Sequence, residues 1–304
     1  MKIKGTSKAL KPKYFYITFA ASLVVCLALR FYHVIKLIDV ETGFYSQSNF
    51  TVTVFYVILA AAGLFMLIGS FVSANNGKFE TERIVKKNKL LGGVSLVLSL
   101  AFITEFAQSF INALYAQQNS TIYTDISFFA QFMKSGYLPG VFTALFALIT
   151  SIYFIKFAVS CFGNKCKIAS NKVFALMPVI WGLIKLVSFF VKQISFVRIS
   201  DLFLEIAAVS FTLIFLFSFA QCVSGVYADV AEWRITGVGL TAALLLLVLN
   251  IPKLCLTIFG GGNHIVVDYP VNYAEILLGL FILAVILSFN RKQTEPEISE
   301  ENEE

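Results

Sequence analysis

Charged residues are scarce in this sequence, and their scarcity excludes a water-soluble fold. Asp, Glu, Lys and Arg make up 14% of the 304 residues, whereas an ordinary soluble domain carries about 25%. Hydrophobic residues reach 58% and the mean hydropathy is +0.80. There are too few polar residues to cover the surface of a water-soluble globule. We therefore expect the lipid bilayer to surround most of the chain, and we predict it as a partner of the protein.

Motifs for catalysis and metal binding are also lacking. The sequence contains neither H-E-x-x-H nor G-x-S-x-G. The run GGGN at 260–263 lacks the Lys and Ser/Thr of a phosphate loop, and the two histidines, His33 and His264, have no companion ligand pattern. The sequence therefore predicts no enzymatic activity, no cofactor and no metal site.

Long apolar runs dominate what is present. A spanning helix needs ~20 mostly apolar residues, whereas the strands of a membrane barrel are ~10 residues long with alternating polarity. The runs here are longer and apolar all round. We therefore predict an all-α, polytopic membrane protein, a bundle of about eight transmembrane helices. The predicted spans are 14–37, 51–74, 90–115, 138–161, 173–196, 202–225, 235–259 and 272–290.

Basic residues alternate between the predicted loops, and this alternation predicts the orientation. They collect in 1–13, in 75–89, in 163–172, at Arg234 and just after the last span. Short cytoplasmic loops carry such an excess. We predict a multi-pass protein of the cell membrane with both termini cytoplasmic. The net charge of +6 is spread along membrane borders, so it does not predict a nucleic-acid partner.

Three segments follow from this orientation. Residues 1–13 form a basic cytoplasmic N-terminus, 14–291 form the eight-span domain, and 292–304 form an acidic cytoplasmic tail predicted to be disordered. The stretch LRFYHVIKLIDVETGFY at 29–45 resembles uncharacterised multi-pass membrane proteins of Gram-positive anaerobic bacteria. That resemblance implies a bacterial membrane and no particular activity.

A weak internal repeat indicates helical hairpins descended from one unit. Residues 205–219 and 275–289 match in register at Glu, Ile, Phe, Ser and Phe. Chance identity between apolar strings is the alternative. In addition, each odd-numbered span carries a polar pair at i and i+3, which places both members on one helix face. The pairs are Arg30/His33, Glu105/Gln108, Lys185/Ser188 and Asn250/Lys253.

Counting along the helices at ~1.5 Å per residue places most intramembrane charges in the outer half. Glu105 and Lys185 are deepest and at comparable depth, which allows them to pair. Residues closer to the border are interpreted as interfacial: Lys36, Lys192, Glu205 and Glu275. The candidate ligand-binding residues are Arg30, His33, Glu105, Gln108, Lys185, Asn250 and Lys253.

These charges allow two interpretations. They either lock helix packing through salt bridges, or line a pocket that takes a charged or zwitterionic small molecule from the outer side, with Arg30 holding a carboxylate or phosphate. Pro252 predicts either a broken helix at a transport site or an ordinary kink. The favoured function is a small-molecule transporter or permease component. The alternatives are a sensor or scaffold that recruits a cytoplasmic partner, and an intramembrane lipid-modifying enzyme using Glu105 or His33 as acid or base.

Overall fold

The fold is an all-α bundle, as predicted. The computed structural model describes residues 12–39, 45, 49–73, 88–118, 137–163, 172–191, 199–225, 233–260 and 271–294. Within these ranges the only β-type pairing is an isolated bridge between Ile38 and Tyr45. The helices are α1 (Pro12–Lys36), α2 (Phe50–Ser73), α3 (Lys89–Gln118), α4 (Tyr137–Phe162), α5 (Met177–Val191), α6 (Ile199–Val223), α7 (Gly239–Ile258) and α8 (Tyr273–Thr294).

Six helices in the described part of the chain are long and apolar enough to cross a membrane: α1, α2, α3, α4, α6 and α7, the last together with the π turn Arg234–Val238 that precedes it. Two shorter apolar helices, Phe174–Phe190 and Tyr273–Phe289, correspond to α5 and α8. Such helices satisfy their own backbone hydrogen bonds in lipid. The chain is thus an integral, multi-pass membrane protein.

The helix bounds agree with the predicted spans to within a few residues at most ends. α8 differs, because it continues to Thr294, beyond the predicted start of the disordered tail at 292. Predictions for 1–11, for 192–196 and for the rest of the tail lie outside the described residues.

α7 forms the centre of the bundle. In its most apolar window 89% of residues are buried, against 28–44% in the other five long helices. It packs against α1, α2, α6 and α8. Contacts between α3 and α4, α4 and α5, α5 and α6, α6 and α7, α7 and α8, and α8 and α3 close a ring of six helices. The α1–α2 hairpin covers the side of α7 that faces away from this ring.

Pro252 does not break α7, which is described as one helix from Gly239 to Ile258. The proline lacks the N–H that would bond the carbonyl of Val248, one turn earlier. Of the two interpretations of Pro252, the broken helix is therefore wrong. A proline inside a continuous membrane helix is tolerated because neighbouring helices compensate for the lost bond.

Aromatic side chains fill the interior of the ring of six helices. The Phe281 ring on α8 lies with its centroid 5.1 Å from that of Phe154 on α4 and 5.5 Å from that of Phe219 on α6. Phe102 on α3 stacks against Phe154 at 5.5 Å and meets Trp181 on α5 edge-on at 4.8 Å. We call these five residues the aromatic layer. Their apolar side chains fill the interior of the six-helix ring.

Small residues and hydroxyl groups bring helices into close contact, as is usual in membranes. A Cβ added to Gly140 on α4 would lie 3.0 Å from the Cβ of Ala113 on α3. Ser151 on α4 donates to the Ser99 carbonyl on α3 at 2.9 Å. A Cβ at Gly237 would lie 2.9 Å from the Met66 carbonyl, so glycine lets the start of the seventh span approach α2. These contacts hold the scaffold that positions the charged side chains.

Candidate functional site

Two carboxylates meet one ammonium group inside the bundle. Lys185 Nζ on α5 lies 2.7 Å from Glu275 Oε1 on α8 and 3.3 Å from Glu105 Oε1 on α3. The pair that the comparable depth of Glu105 and Lys185 allows is therefore present. Glu275, which the sequence pattern indicated as interfacial, makes the shorter contact.

Glu275 is held from several sides. Its Oε2 accepts a hydrogen bond from Asn250 Nδ2 at 2.8 Å, and its Oε1 accepts a long one from Asn272 Nδ2 at 3.4 Å. Its backbone N–H donates to Asn272 Oδ1 at 3.2 Å, which caps the start of α8. The carboxylate interacts electrostatically with both Lys185 and Lys253. Glu275 thus links residues of α5, α7 and α8.

α7 contributes a second ion pair to the same region. Lys253 Nζ lies 3.3 Å from Glu205 Oε1 on α6. Asn250 and Lys253 are three residues apart and share one face of α7. Five helices, α3, α5, α6, α7 and α8, therefore supply polar side chains to one assembly. We call this assembly the charge network; its members are Glu105, Lys185, Glu205, Asn250, Lys253 and Glu275.

The charge network is nearly closed to the surroundings of the protein. Each member exposes 9% or less of its surface. An ionised side chain at the centre of a membrane helix costs about 2.5–3.5 kcal/mol on the insertion scale. Buried ion pairs offset that cost only when geometry and further hydrogen bonds are good, and loss of one partner leaves an uncompensated charge. The network is thus stable only as a set.

The members gather at one end of the bundle. Lys185 and Lys253 lie in the second halves of α5 and α7, whereas Glu275 lies in the first turn of α8 and Glu205 in the second turn of α6. Odd-numbered helices end, and even-numbered helices begin, on that side. Phe102 and Trp181 of the aromatic layer lie directly beneath, because each precedes a network residue by about one helical turn, and Phe281 follows deeper along α8. Polar and aromatic groups therefore occupy successive levels.

Arg30 and His33 form a second group, at the contact between α1 and α2. Both are completely buried. Arg30 Nη1 donates to Tyr45 Oη at 3.1 Å, and His33 Nε2 lies 3.2 Å from Thr51 Oγ1. The His33 ring meets Tyr45 edge-on at 5.6 Å and Phe55 at 5.5 Å. We call these five residues the hairpin cluster.

The remaining candidates take simpler positions. Gln108 is half-buried on α3, about one turn beyond Glu105. Lys36 is exposed at the end of α1, as the interfacial interpretation predicts. Lys192 lies outside the described residues.

The interfacial interpretation is wrong for Glu205 and Glu275, which are buried and paired. Depth counting places a residue along its helix but does not say whether the side chain faces lipid or a neighbouring helix. The sequence did contain a usable signal, since the two glutamates occupy the same place in the matching strings 205–219 and 275–289. Asn272 three residues before Glu275 also has the spacing of a capping box, which fixes the start of α8.

Trp181 lies against the network. Its ring centroid is 5.2 Å from Lys185 Nζ, close enough for a cation–π interaction. The residue is 1% exposed, and its indole Nε1 has no hydrogen-bond partner among the described residues. Within the same ranges no group of three His, Cys, Asp or Glu side chains is arranged to hold a metal ion.

The fold and the charge network together define a multi-pass helical membrane protein with an ionisable interior. No protein-family model, no curated protein and no solved structure matches this chain.

Proposed function

We propose that this protein is a small-molecule transporter, or the permease component of one, in the cell membrane. The charge network is its binding site, and the cargo is a charged or zwitterionic small molecule that enters from the outer side. One observation carries the proposal: ionisable side chains from five helices converge on one buried assembly in an otherwise apolar bundle.

The energetic cost of this assembly supports a functional role. Ionisable residues inside membrane spans are rare and usually line substrate or ion pathways. A well-packed apolar set of similar volume is often as stable as a buried ion pair, or more so. The helices already pack through small residues and aromatic rings. Burying five ionisable groups and an asparagine therefore adds a free-energy cost that helix packing alone does not require.

The distribution of basic residues supports an outward location for the site. With the basic segments in the cytoplasm, α1, α3, α5 and α7 run outward. The network, near the ends of α5 and α7, then lies in the outer half. Both termini are cytoplasmic in this arrangement, and the hairpin cluster lies on the same outer side, where Arg30 can attract an anionic group.

The geometry also provides a way to exchange partners. Lys185 contacts carboxylates on two different helices, so it can move toward Glu105 or toward Glu275 without losing every ionic contact. A cargo with its own charges can take over one of these contacts. The aromatic layer beneath, centred on Phe281, separates the site from the inner half of the bundle, as alternating access requires.

The test is ligand-induced thermal stabilisation of the purified protein in detergent. The probes are ethanolamine, glycine, acetate and inorganic phosphate, compared at equal ionic strength with sodium chloride. We expect at least one probe to stabilise the wild-type protein and Glu105→Gln to lose that effect while still inserting normally. Lys156→Met is the matched control, because Lys156 is exposed. Its Nζ lies 4.6 Å from the centroid of the Phe174 ring, in the half of the bundle opposite to the charge network. Equal stabilisation of wild type and Glu105→Gln would argue against the site.

A scaffold function remains the second candidate, because the charge network is internally paired and nearly fully buried. In that case the pairs fix the shape of the bundle and the acidic tail recruits a cytoplasmic protein. Deleting 295–304 and comparing the proteins that co-purify separates the two functions. A partner lost on deletion, together with no response to any probe, favours the scaffold.

A further inference from the structure

The surroundings of Lys185 Nζ have the chemistry of an ammonium-binding site. Glu275 Oε1 lies at 2.7 Å, Glu105 Oε1 at 3.3 Å and the centroid of the Trp181 ring at 5.2 Å. Two carboxylates accept charge-assisted hydrogen bonds, and the face of an indole ring attracts a cation. Three different helices supply these groups. Any primary ammonium ion of suitable size would find the same partners there.

Contacts other than the one with Lys185 also hold Glu275. Asn250 Nδ2 holds its Oε2 at 2.8 Å, and the N-terminal cap formed by Asn272 fixes the backbone of Glu275. A site whose acceptors are held by neighbouring groups is preorganised for its ligand. Lys185, in contrast, places its ammonium group at the end of a flexible four-carbon stem. Of the groups that meet here, the lysine side chain is the one best able to leave.

We infer that Lys185 occupies the place of a cargo ammonium group, and that the cargo is a small molecule with a primary amine that displaces Lys185 from Glu105 and Glu275. This inference rests on the proposed transport function and names its substrate class. The tethered lysine then keeps the carboxylates paired while the site holds no cargo. Binding exchanges one ammonium ion for another at the two carboxylates, and the flexible stem of Lys185 then has to carry its charge to another acceptor.

Trp181 contributes the face of its ring to this site. Lys185 Nζ lies over the ring, 5.2 Å from its centroid, where the indole attracts a cation. The indole N–H lies in the plane of the ring and therefore does not point at the ammonium group. The requirement on the cargo is thus a primary ammonium group with N–H donors for the two carboxylates.

The experiment measures amine affinity by thermal stabilisation of the full-length protein in detergent. Ethanolamine is the main probe, ethylammonium is a primary amine without the hydroxyl group, and tetramethylammonium has the charge but no N–H to donate. We expect ethanolamine and ethylammonium both to stabilise the wild-type protein, and tetramethylammonium to have no effect. Lys185→Met removes the competitor and should bind ethanolamine about tenfold more tightly.

Two further variants keep the inference falsifiable if Lys185→Met does not fold. Lys185→Arg places a planar, bidentate cation between the carboxylates, so ethanolamine should bind about tenfold more weakly than to wild type. Trp181→Phe keeps an aromatic face that attracts a cation less strongly than indole does, so both primary amines should bind it more weakly than wild type. Lys156→Met, far from the network, should behave like wild type.

Two results would overturn the inference. The first is ethanolamine affinity that is the same in wild type, Lys185→Met and Lys185→Arg. The second is the absence of any amine effect while acetate or phosphate stabilises the protein in a Glu105-dependent way. In that second case the cargo class is wrong and the transport proposal stands. If no charged probe of either sign acts on any variant, the proposed function fails as well.

Discussion

The two groups of buried polar residues differ in how far apart along the chain their partners lie. In the hairpin cluster, Arg30 and His33 contact Tyr45, Thr51 and Phe55, all within the first helical hairpin. In the charge network, Lys185 contacts Glu105 and Glu275, which lie on remote segments. One group is local and can form with its hairpin. The other exists only when five helices have assembled.

This difference predicts how each group responds to mutation. A local hydrogen bond between two residues of one hairpin affects mainly that hairpin. A shared ion network couples the stability of several helices, and its single substitutions are non-additive. The comparison therefore ranks the expected effects, with the carboxylate that has the most partners first and an exposed cation last.

Glu275→Gln should be the most destabilising of these changes. It removes the closest acceptor of Lys185 and leaves that ammonium group with Glu105 at 3.3 Å. Breaking a buried ion pair costs about 3–5 kcal/mol. The free energy of unfolding in mixed detergent micelles measures this loss. The double variant Lys185→Met/Glu275→Gln should recover part of it, because both charges are then gone. Strictly additive losses would show that the two residues do not act as a pair.

Glu105→Gln should destabilise less than Glu275→Gln. Lys185 keeps its contact with Glu275 at 2.7 Å, so only the longer of the two ionic contacts is lost. A hydrogen bond to a charged group contributes about 1.5–3 kcal/mol, and the same unfolding measurement applies. A loss as large as that of Glu275→Gln would place Glu105, rather than Glu275, at the centre of the network.

Thr51→Val should have a smaller effect, confined to the hairpin cluster. It removes the hydroxyl that lies 3.2 Å from His33 Nε2, and a neutral hydrogen bond contributes about 0.5–1.5 kcal/mol. Its effect should add to that of Glu275→Gln in the double variant, since the two sites share no described contact. Strong coupling between them would mean that hairpin cluster and charge network form one unit.

Lys36→Met should have no measurable effect on stability. Lys36 is exposed at the end of α1, and surface substitutions away from special features are close to neutral. The unfolding free energy of this variant provides the baseline for the other three. A clear loss would assign Lys36 to the hairpin cluster together with Arg30 and His33.

The helices could be predicted well from the sequence because each one corresponds to a continuous run of mostly apolar residues. All eight apolar runs contain a helix in the structure, and the comparable depth of Glu105 and Lys185 made their pairing one of the two interpretations. The rotation of each helix about its axis and the helices next to which it packs could not be predicted from the sequence. Glu275 meets Lys185 of α5 across the ring that α8 closes by packing beside α3 and α7, and no pattern within 272–290 specifies those neighbours.

Asn250 is a second residue whose partner could not be predicted from the sequence. It is a candidate because it forms a polar pair with Lys253 in the outer half of its span, but its partner, Glu275, lies on the next helix and was interpreted as interfacial. The aromatic layer was also not predicted, since phenylalanine is spread through the whole chain. Only the packing of α4, α6 and α8 shows that Phe154, Phe219 and Phe281 meet.

Uptake by proteoliposomes tests the central claim most directly. Wild type, Lys156→Met and Glu105→Gln are reconstituted at equal density and compared for accumulation of labelled ethanolamine, glycine and acetate. We predict that wild type and Lys156→Met accumulate at least one of these compounds and that Glu105→Gln accumulates none. Equal accumulation by Glu105→Gln, or accumulation of no compound by any of the three proteins, would contradict the account of the charge network as a cargo site.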